Sequence, residues 1–468
     1  MKEKNKVYHL FEYAKPTEFT GGLDSFNDLD AFLDEIWKKR EKSSFNFWNK
    51  DNYEKHSPQH FIEFFRKNLT FRSTKYVGII RYNGQTINLL PKIFDSDNSK
   101  GYSDNSIESI QRHILWWLSY CGRFRFPKSK SSFKSVKTDF FEVLIYLYAS
   151  YTKQILSNSI YQGYQEINNE LPFMKGRLDV SNYITHNIVT GNHHKLSCVY
   201  DSFEMDNLFN RIIKYVSKLL LNHSQIQDNK KLLREIVFIL DEVEDIKASL
   251  QDCLKVKLNP IFKEMFTVLD YCKLFLSNST VLSYKNDFDV FAFLIPMEYI
   301  FEDFVFGFIK KEMPELKVKS QEGTTYLTTD GIFKLKPDLV FNIKDRKVIA
   351  DTKYKCAYYD DNDKKKGILE ADMYQMLAYA IRNKVTEIKL LFPSTVRDKQ
   401  NKPIEFIIQD EFAEKTEVKI NAYKLPIIAP NWQTMKLDMS LSEEFEESKE
   451  LLIREFQLIF EYGASKNN

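Results

Sequence analysis

Asp338, Asp351 and Lys353 are the residues whose types and spacing suit them to chemistry. Asp351 and Lys353 stand two apart in KVIADTKYK, so on a strand they share a face. Asp338 follows Pro337 in the preceding strand, where a proline marks an edge or bulge that turns the aspartate toward its neighbour. Hard carboxylate oxygens at Asp338 and Asp351 suit Mg²⁺, with Mn²⁺ as a substitute, an ion that keeps several of its waters. Such an ion lowers the pKa of a bound water and stabilises charge on a scissile phosphate. A lysine beside it orients the attacking water or stabilises the transition state. The chemistry expected is metal-assisted phosphodiester hydrolysis.

Two helical segments supply further polar groups. In the first, Phe301, Phe304, Val305 and Phe308 form an apolar stripe. Glu298 and Glu302 sit at i and i+4 on its flank, while Asp303 points away. Spacing leaves Glu298 and Glu302 both open as a third acid. In the second, Met373, Met376, Leu377 and Ala380 face a core. Gln375 and Tyr379 line the other side with Asp372, placed to contact DNA or to support the metal site. A plainer alternative makes Asp351 and Lys353 a solvated strand face, and Gln375 and Tyr379 the wet face of a helix.

The elements that must position these groups follow from periodicity and turn residues. A helix over 297–311 is followed by TTYLTTDGIFKLKPDLVF, with a hairpin signal at Asp330-Gly331. A turn at Lys344-Asp345-Arg346 then leads into KVIADTKYK. A helix over 370–382 and a strand over 387–392 complete an α-β-β-β-α-β order. Upstream, 107–278 reads as mainly helical, with IESIQRHILWWLSY, DFFEVLIYLYASYTKQIL and DNLFNRIIKYVSKLLL carrying apolar faces. The first 125 residues read as mixed α/β, with a helix over 28–39 and a hairpin over 76–93 turned by Asn83-Gly84. A polar loop spans 95–106. The expected organisation is an α/β multidomain chain: an N-terminal mixed α/β domain over 1–125, a helical middle domain over 126–285 and a nuclease domain over 286–468.

Composition narrows the class. A chain of 468 residues exceeds what one core holds, and 43% hydrophobic with 28% charged residues is ordinary for a globular protein. The net charge of +2 means that DNA binding must come from local patches. The five cysteines lack CxxC spacing, which argues against a zinc site or disulfide framework and fits a reducing compartment. His193-His194 has no ligand-type neighbours and reads as a surface loop. MKEKNKVYHLFEY lacks the apolar core of a signal peptide, and apolar runs fall short of the ~20 residues of a membrane span. A cytoplasmic protein is expected.

KPDLVF…VIADTKYK resembles the PD-(D/E)XK nuclease motif, and more narrowly that of McrC-type restriction subunits. Gln375-x-x-x-Tyr379 is similar to the QxxxY element of RecB-like members. YVGIIRYNGQTINLLPKI resembles the N-terminal hairpin of McrC proteins, FMKGRLDV their central segment and CVYDSFEMDNLFNRII the helix start that follows. The resemblance thus covers most of the chain in order. It implies that Asp338 and Asp351 are metal ligands and Lys353 the catalytic lysine, with Gln375 and Tyr379 supporting. Ile300-Phe301-Glu302 resembles the family's LFE helix, with Ile at the first position, which favours Glu302 as the extra acid. Lys355 reads as solvated. The resemblance further implies a McrB-like AAA+ GTPase ring as partner, bound through the N-terminal region with 76–93 as a contacting finger, and double-stranded DNA as substrate. The chain has no Gly-Lys dipeptide and hence no Walker A loop, so GTP is expected on the partner. The rival readings are a stand-alone repair nuclease of the same fold and a regulatory subunit that does not cut.

Overall fold

A computed structural model of the chain describes residues 6–42, 61–82, 84–96, 102–122, 140–283, 289–320, 325–343, 346–356, 363–398, 402–409, 417–435 and 440–461. By internal contacts the chain divides into two compact units, Met1–Phe141 with Asn278–Asn468, and Glu142–Ser277. Sequence patterning sets the first and last regions apart. In the structure they lie in one unit, because strands and helices from both build the same layers.

The first unit holds a five-stranded sheet of β1 Val7–Phe11, β2 Tyr76–Tyr82, β3 Gln85–Leu90, β4 Ser279–Ser283 and β5 Asp289–Pro296, in the order β1-β3-β2-β5-β4. β1 is parallel to β3, and β2 is antiparallel to both β3 and β5. The pair β2–β3 is the expected hairpin, with Gly84 at φ +76°; Asn83 lies outside the described residues. It is not a protruding finger. β2 and β3 are interior strands and nearly every residue of both is buried, the polar Gln85 and Asn88 included. At Gly78 a Cβ would run into the Phe293 carbonyl oxygen of β5. Helix α1, Gly22–Lys42, brings Phe26, Leu29, Phe32, Leu33 and Ile36 into one core with Tyr8, Phe71 and Ile80. Burying each such side chain contributes about 1.5–3 kcal/mol.

Helix α2, Asp104–Tyr120, is capped by Ser103, so the expected polar loop ends early; 97–101 lie outside the described residues. β5 runs straight into α3, Met297–Glu312. α3 buries Ile300, Phe301, Phe304, Val305, Phe308 and Ile309, and ends on Lys310 and Lys311, which complement its dipole. It packs on α2 through Trp116–Phe304 and Tyr120–Phe308, with ring centroids 5.2 and 4.9 Å apart.

The same unit contains a second sheet of β6 Lys319–Ser320, β7 Leu339–Ile343, β8 Arg346–Thr352, β9 Glu387–Pro393, β10 Ile404–Gln409 and β11 Glu417–Leu425, in the order β6-β7-β8-β9-β11-β10. β6–β7 and β7–β8 are antiparallel, and β8–β9 and β9–β11 parallel. Helix α4, Glu370–Asn383, makes the crossover that a parallel β8–β9 pair needs. Between α3 and α4 the sheet takes three antiparallel strands, of which the first is the two-residue Lys319–Ser320 and not the strand from Thr325 that the sequence suggests. The turn residues 344–345 lie outside the described residues. Thr325–Tyr326 does not join this sheet and pairs only with Lys334–Leu335.

The second unit departs from the helical middle domain expected. Helices Leu208–His223, Gln227–Ile239, Leu250–Lys255 and Lys263–Asn278 are joined by an antiparallel sheet of Gly163–Leu171, Arg177–Leu178 and Leu196–Glu204, and by a π-helical turn, Tyr183–Ile188. His193 and His194 are exposed, and Arg211 pairs with Asp206 at 2.7 Å. Among the described residues no helix is long and apolar enough to cross a membrane.

Candidate active site

Where β7 begins and β8 ends, four of the expected residues meet. Asp338 stands one residue before β7 rather than within it. Its Oδ2 accepts hydrogen bonds from the Thr352 amide at 2.8 Å and the Thr352 hydroxyl at 2.7 Å. Asp351, near the end of β8, is fully buried, and neither oxygen receives a well-formed hydrogen bond. Lys353 follows the last residue of β8 and is tied to β9 by its amide, which donates to the Leu391 carbonyl at 2.9 Å. Its Nζ lies 2.5 Å from Asp351 Oδ2, an ion pair off the hydrogen-bond direction. Alternation thus puts Asp351 and Lys353 on one face, and that face is not solvated.

α4 holds the lysine from the other side. Lys353 Nζ donates to Gln375 Oε1 at 3.0 Å, Gln375 Nε2 donates to Tyr379 OH at 2.7 Å, and Tyr379 OH donates to the Lys336 carbonyl at 2.9 Å. This chain fixes the amide orientation and aims its carbonyl at the ammonium. Tyr379 is buried, so the pair is not the wet face of a helix. Asp372 is also buried and accepts from Lys355 Nζ at 2.8 and 3.0 Å, so Lys355 is ion-paired rather than freely solvated.

Electrostatics follow from burial. Asp351 is pushed up to about 7, first by burial and then by Asp338. Asp338 is raised to about 6, by burial and then by Glu302. Burial works against the Lys353 ammonium, but Asp351 and Asp338 outweigh it and leave its pKa above the usual value. The two glutamates left open by spacing act on different neighbours. Glu302 acts on Asp338 and Tyr379, whereas Glu298 acts on Glu12, Tyr13 and Tyr354.

The donor set suits a hard divalent cation. Two adjacent buried carboxylates repel each other, and Asp351 is met by one ammonium, Lys353, but by no well-formed hydrogen bond. Among the described residues no group of three or more His, Cys, Asp or Glu is arranged to hold a metal. The set is therefore a carboxylate pair, which matches an ion such as Mg²⁺ that completes its shell with waters and phosphate oxygens.

Four contributors escape sequence reasoning: Thr352, Glu12, Lys92 and Tyr354. Glu12 is buried beside the end of β1, and its Oε2 accepts from Tyr354 OH at 2.8 Å and from the Lys92 amide at 3.0 Å. Lys92 Nζ donates to the Tyr354 carbonyl at 2.9 Å. Both polar ends of the residue after Lys353 are thus gripped by the N-terminal segment. Only the Pro-Lys-Ile after β3 offered a signal, and it was read as part of a hairpin.

Comparison with known proteins agrees with this architecture. A family model described as McrBC 5-methylcytosine restriction system component matches residues 71–393. No curated protein matches the chain. Among solved structures, a chain of the refined half-complex from a tetradecameric assembly of Thermococcus gammatolerans McrB AAA+ hexamers with bound McrC is 17% identical. That match covers 97% of this chain and 100% of that one, with a TM-score of 0.61. A chain of the Thermococcus gammatolerans McrBC complex, solved by cryo-EM, is 18% identical, covering 66% of this chain and 88% of that one at a TM-score of 0.48.

Proposed function

Since the chain belongs to the family of McrBC 5-methylcytosine restriction system components, we propose that it is the nuclease subunit of such a system, a Mg²⁺-dependent DNA endonuclease of PD-(D/E)XK type. The observation that carries this reading is Asp351. Two buried carboxylates side by side are costly unless more positive charge than one ammonium, or a proton, joins them. Here Asp351 stands beside a second carboxylate and an ammonium held in place by a side-chain relay.

Asp338 and Asp351 would hold the ion, with Mn²⁺ able to replace Mg²⁺. Bound there, the ion would supply Lewis acidity toward a phosphate oxygen and a more acidic water. Thr352 fixes Asp338 through two hydrogen bonds to one oxygen, leaving Oδ1 as the free donor atom. Lys353 is ion-paired with Asp351 and would act as a positive charge. Of its three N–H groups, one goes to Gln375 and one faces Asp351. The third is available to orient a water or to stabilise charge on a phosphate. Glu302 adds negative charge beside Asp338 and so favours cation binding.

The partner would be a McrB-like AAA+ GTPase ring, which binds the GTP, and the substrate double-stranded DNA. Support comes from the family match and from the solved half-complex, whose own description is of McrB AAA+ hexamers with bound McrC.

The test is cleavage of long methylated DNA by the chain with a McrB-like AAA+ partner, GTP and Mg²⁺, beside Asp351→Ala and Lys353→Ala. Partner binding is verified for each protein. Wild type alone should cut, each variant losing at least about a hundredfold, on the scale of losing a major electrostatic stabiliser. Equal cutting by all three would place the chemistry elsewhere. A second readout needs no cleavage: Mg²⁺ should raise the melting temperature of wild type and leave that of Asp351→Ala unchanged.

A further inference from the structure

Directly upstream of Asp338 the chain forms a small ribbon. Thr325–Tyr326 pairs with Lys334–Leu335 and the chain turns back at Asp330-Gly331, Gly331 having φ +79°. The Leu327 amide donates to the Phe333 carbonyl at 2.9 Å, and Thr328 Oγ1 donates to the Ile332 carbonyl at 2.8 Å. Arg382 Nε, on α4, donates to the Tyr326 carbonyl at 2.6 Å. The ribbon is thus fixed to the helix that carries Gln375 and Tyr379.

Its tip is apolar yet exposed: Phe333 by 68%, Ile332 by 52% and Leu327 by 44%. Phe333 also takes φ +57°, a left-handed conformation that bulky side chains rarely adopt. Ordinary folding would relax the backbone and bury the ring. A strained, exposed aromatic on an anchored ribbon points instead to a ligand outside the fold.

Position says which ligand. Phe333 and Asp338 are five positions apart in the chain, so even a fully extended backbone keeps them within about 17 Å. At ~3.4 Å of rise per base pair, that reach is about five base pairs. A duplex with a phosphate at Asp338 and Asp351 would therefore pass beside the tip. Lys334 and Lys336 lie between the tip and Asp338, providing cations beside apolar side chains. Apolar wedges flanked by basic residues are the means by which proteins enter and open a base step.

We propose that the 327–333 tip is a DNA wedge, with Phe333 stacking against a base step close to the scissile phosphate and Lys334 contacting the backbone. This rests on the nuclease reading above and adds to it how the duplex is gripped. Binding is measured with the full chain and its GTP-loaded AAA+ partner, in a cleavage-dead Lys353→Ala background, on duplexes carrying 2-aminopurine at successive positions. Fluorescence should rise at one or two adjacent positions. Adding Phe333→Ala should abolish that rise and weaken binding about tenfold, within the range of losing one base–aromatic stack. Phe333→Trp should preserve both. Lys334→Ala should keep the rise while lowering the salt dependence by about one counterion. Unchanged fluorescence and affinity in Phe333→Ala, in a chain that still cuts when Lys353 is intact, would sink the wedge and leave the nuclease standing. No duplex binding by any form would remove both. A change in oligomeric mass with DNA binding untouched would make the tip a contact between copies, which also overturns the proposal.

Discussion

Burial raises the carboxyls of Glu12 and Asp351 to about 7 and that of Asp338 to about 6. Glu12 allows a test apart from catalysis. Its Oε2 is satisfied by Tyr354 and Lys92, while its buried Oε1 has no partner. Burial is the main cause of its raised pKa, with the Lys92 ammonium opposing it. A folded pKa above the unfolded one means that the native state binds more protons between about 4.5 and 7. Stability therefore falls as pH rises through that window and is level above it. Glutamine keeps an acceptor for Tyr354 and Lys92 and removes the charge. Glu12→Gln should match wild type near pH 5 and exceed it at pH 8, by on the order of 1–3 kcal/mol. Urea unfolding at both pH values decides this, and an equal gap at the two would refute it. That Asp338, Asp351 and Lys353 come together was legible in the sequence, because all three lie close in the chain at the ends of adjoining strands. Glu12 was not, because its meaning depends on Tyr354, 342 residues away.

Between elements, α3 crosses the end of α2 at close range. A Cβ at Gly307 would collide with the Tyr120 carbonyl oxygen, and backbone cannot rotate aside as a side chain can. Alanine would gain about 1 kcal/mol of helix propensity over glycine. Overpacking a rigid contact costs about 1–3 kcal/mol or more, so the clash wins. Gly307→Ala should lower stability by about 2 kcal/mol and, because α3 carries Glu302, should also reduce cleavage. Gly122→Ala, where a Cβ meets nothing, is the control. Equal melting temperatures for Gly307→Ala and wild type would show that the helices separate freely. At this scale periodicity served well for α3 and α4, whose buried positions fall at helical spacing, while β7–β9 were marked instead by short apolar runs that the structure buries on both faces. It failed for Gly163–Leu171. Most of that strand's described side chains are exposed, so no apolar alternation existed to be read. It also gave no hint that β5 pairs with β2, a contact between residues about two hundred apart that builds the first and last regions into one unit.

For the whole molecule, a partner ring needs a face other than the β2–β3 hairpin, which is buried and offers little surface. The second unit presents a different face. Tyr164 and Phe203 are cross-strand partners with ring centroids 5.1 Å apart, yet they are 77% and 54% exposed. Phe173, Met174 and Val189 of the same sheet and its connecting turns are exposed as well. The paired nine-residue strands span roughly 30 Å. A ribbon of that length with so little core has marginal stability by itself, and exposed apolar side chains gathered on it are the mark of a protein-binding surface. With a net charge of only +2, bulk attraction would contribute little to assembly. Aromatic anchors would supply most of the affinity, at about 2 kcal/mol or more each. Tyr164→Ser with Phe203→Ser should therefore leave the melting temperature within about 1 °C, since neither side chain is buried, while weakening binding to the AAA+ partner by at least about thirtyfold. Stimulated GTP hydrolysis should fall in parallel, and Mg²⁺ should still stabilise the chain. Unimpaired partner binding would move the docking surface off this sheet. A large loss of stability would show instead that the aromatic pair is a packing contact of the second unit.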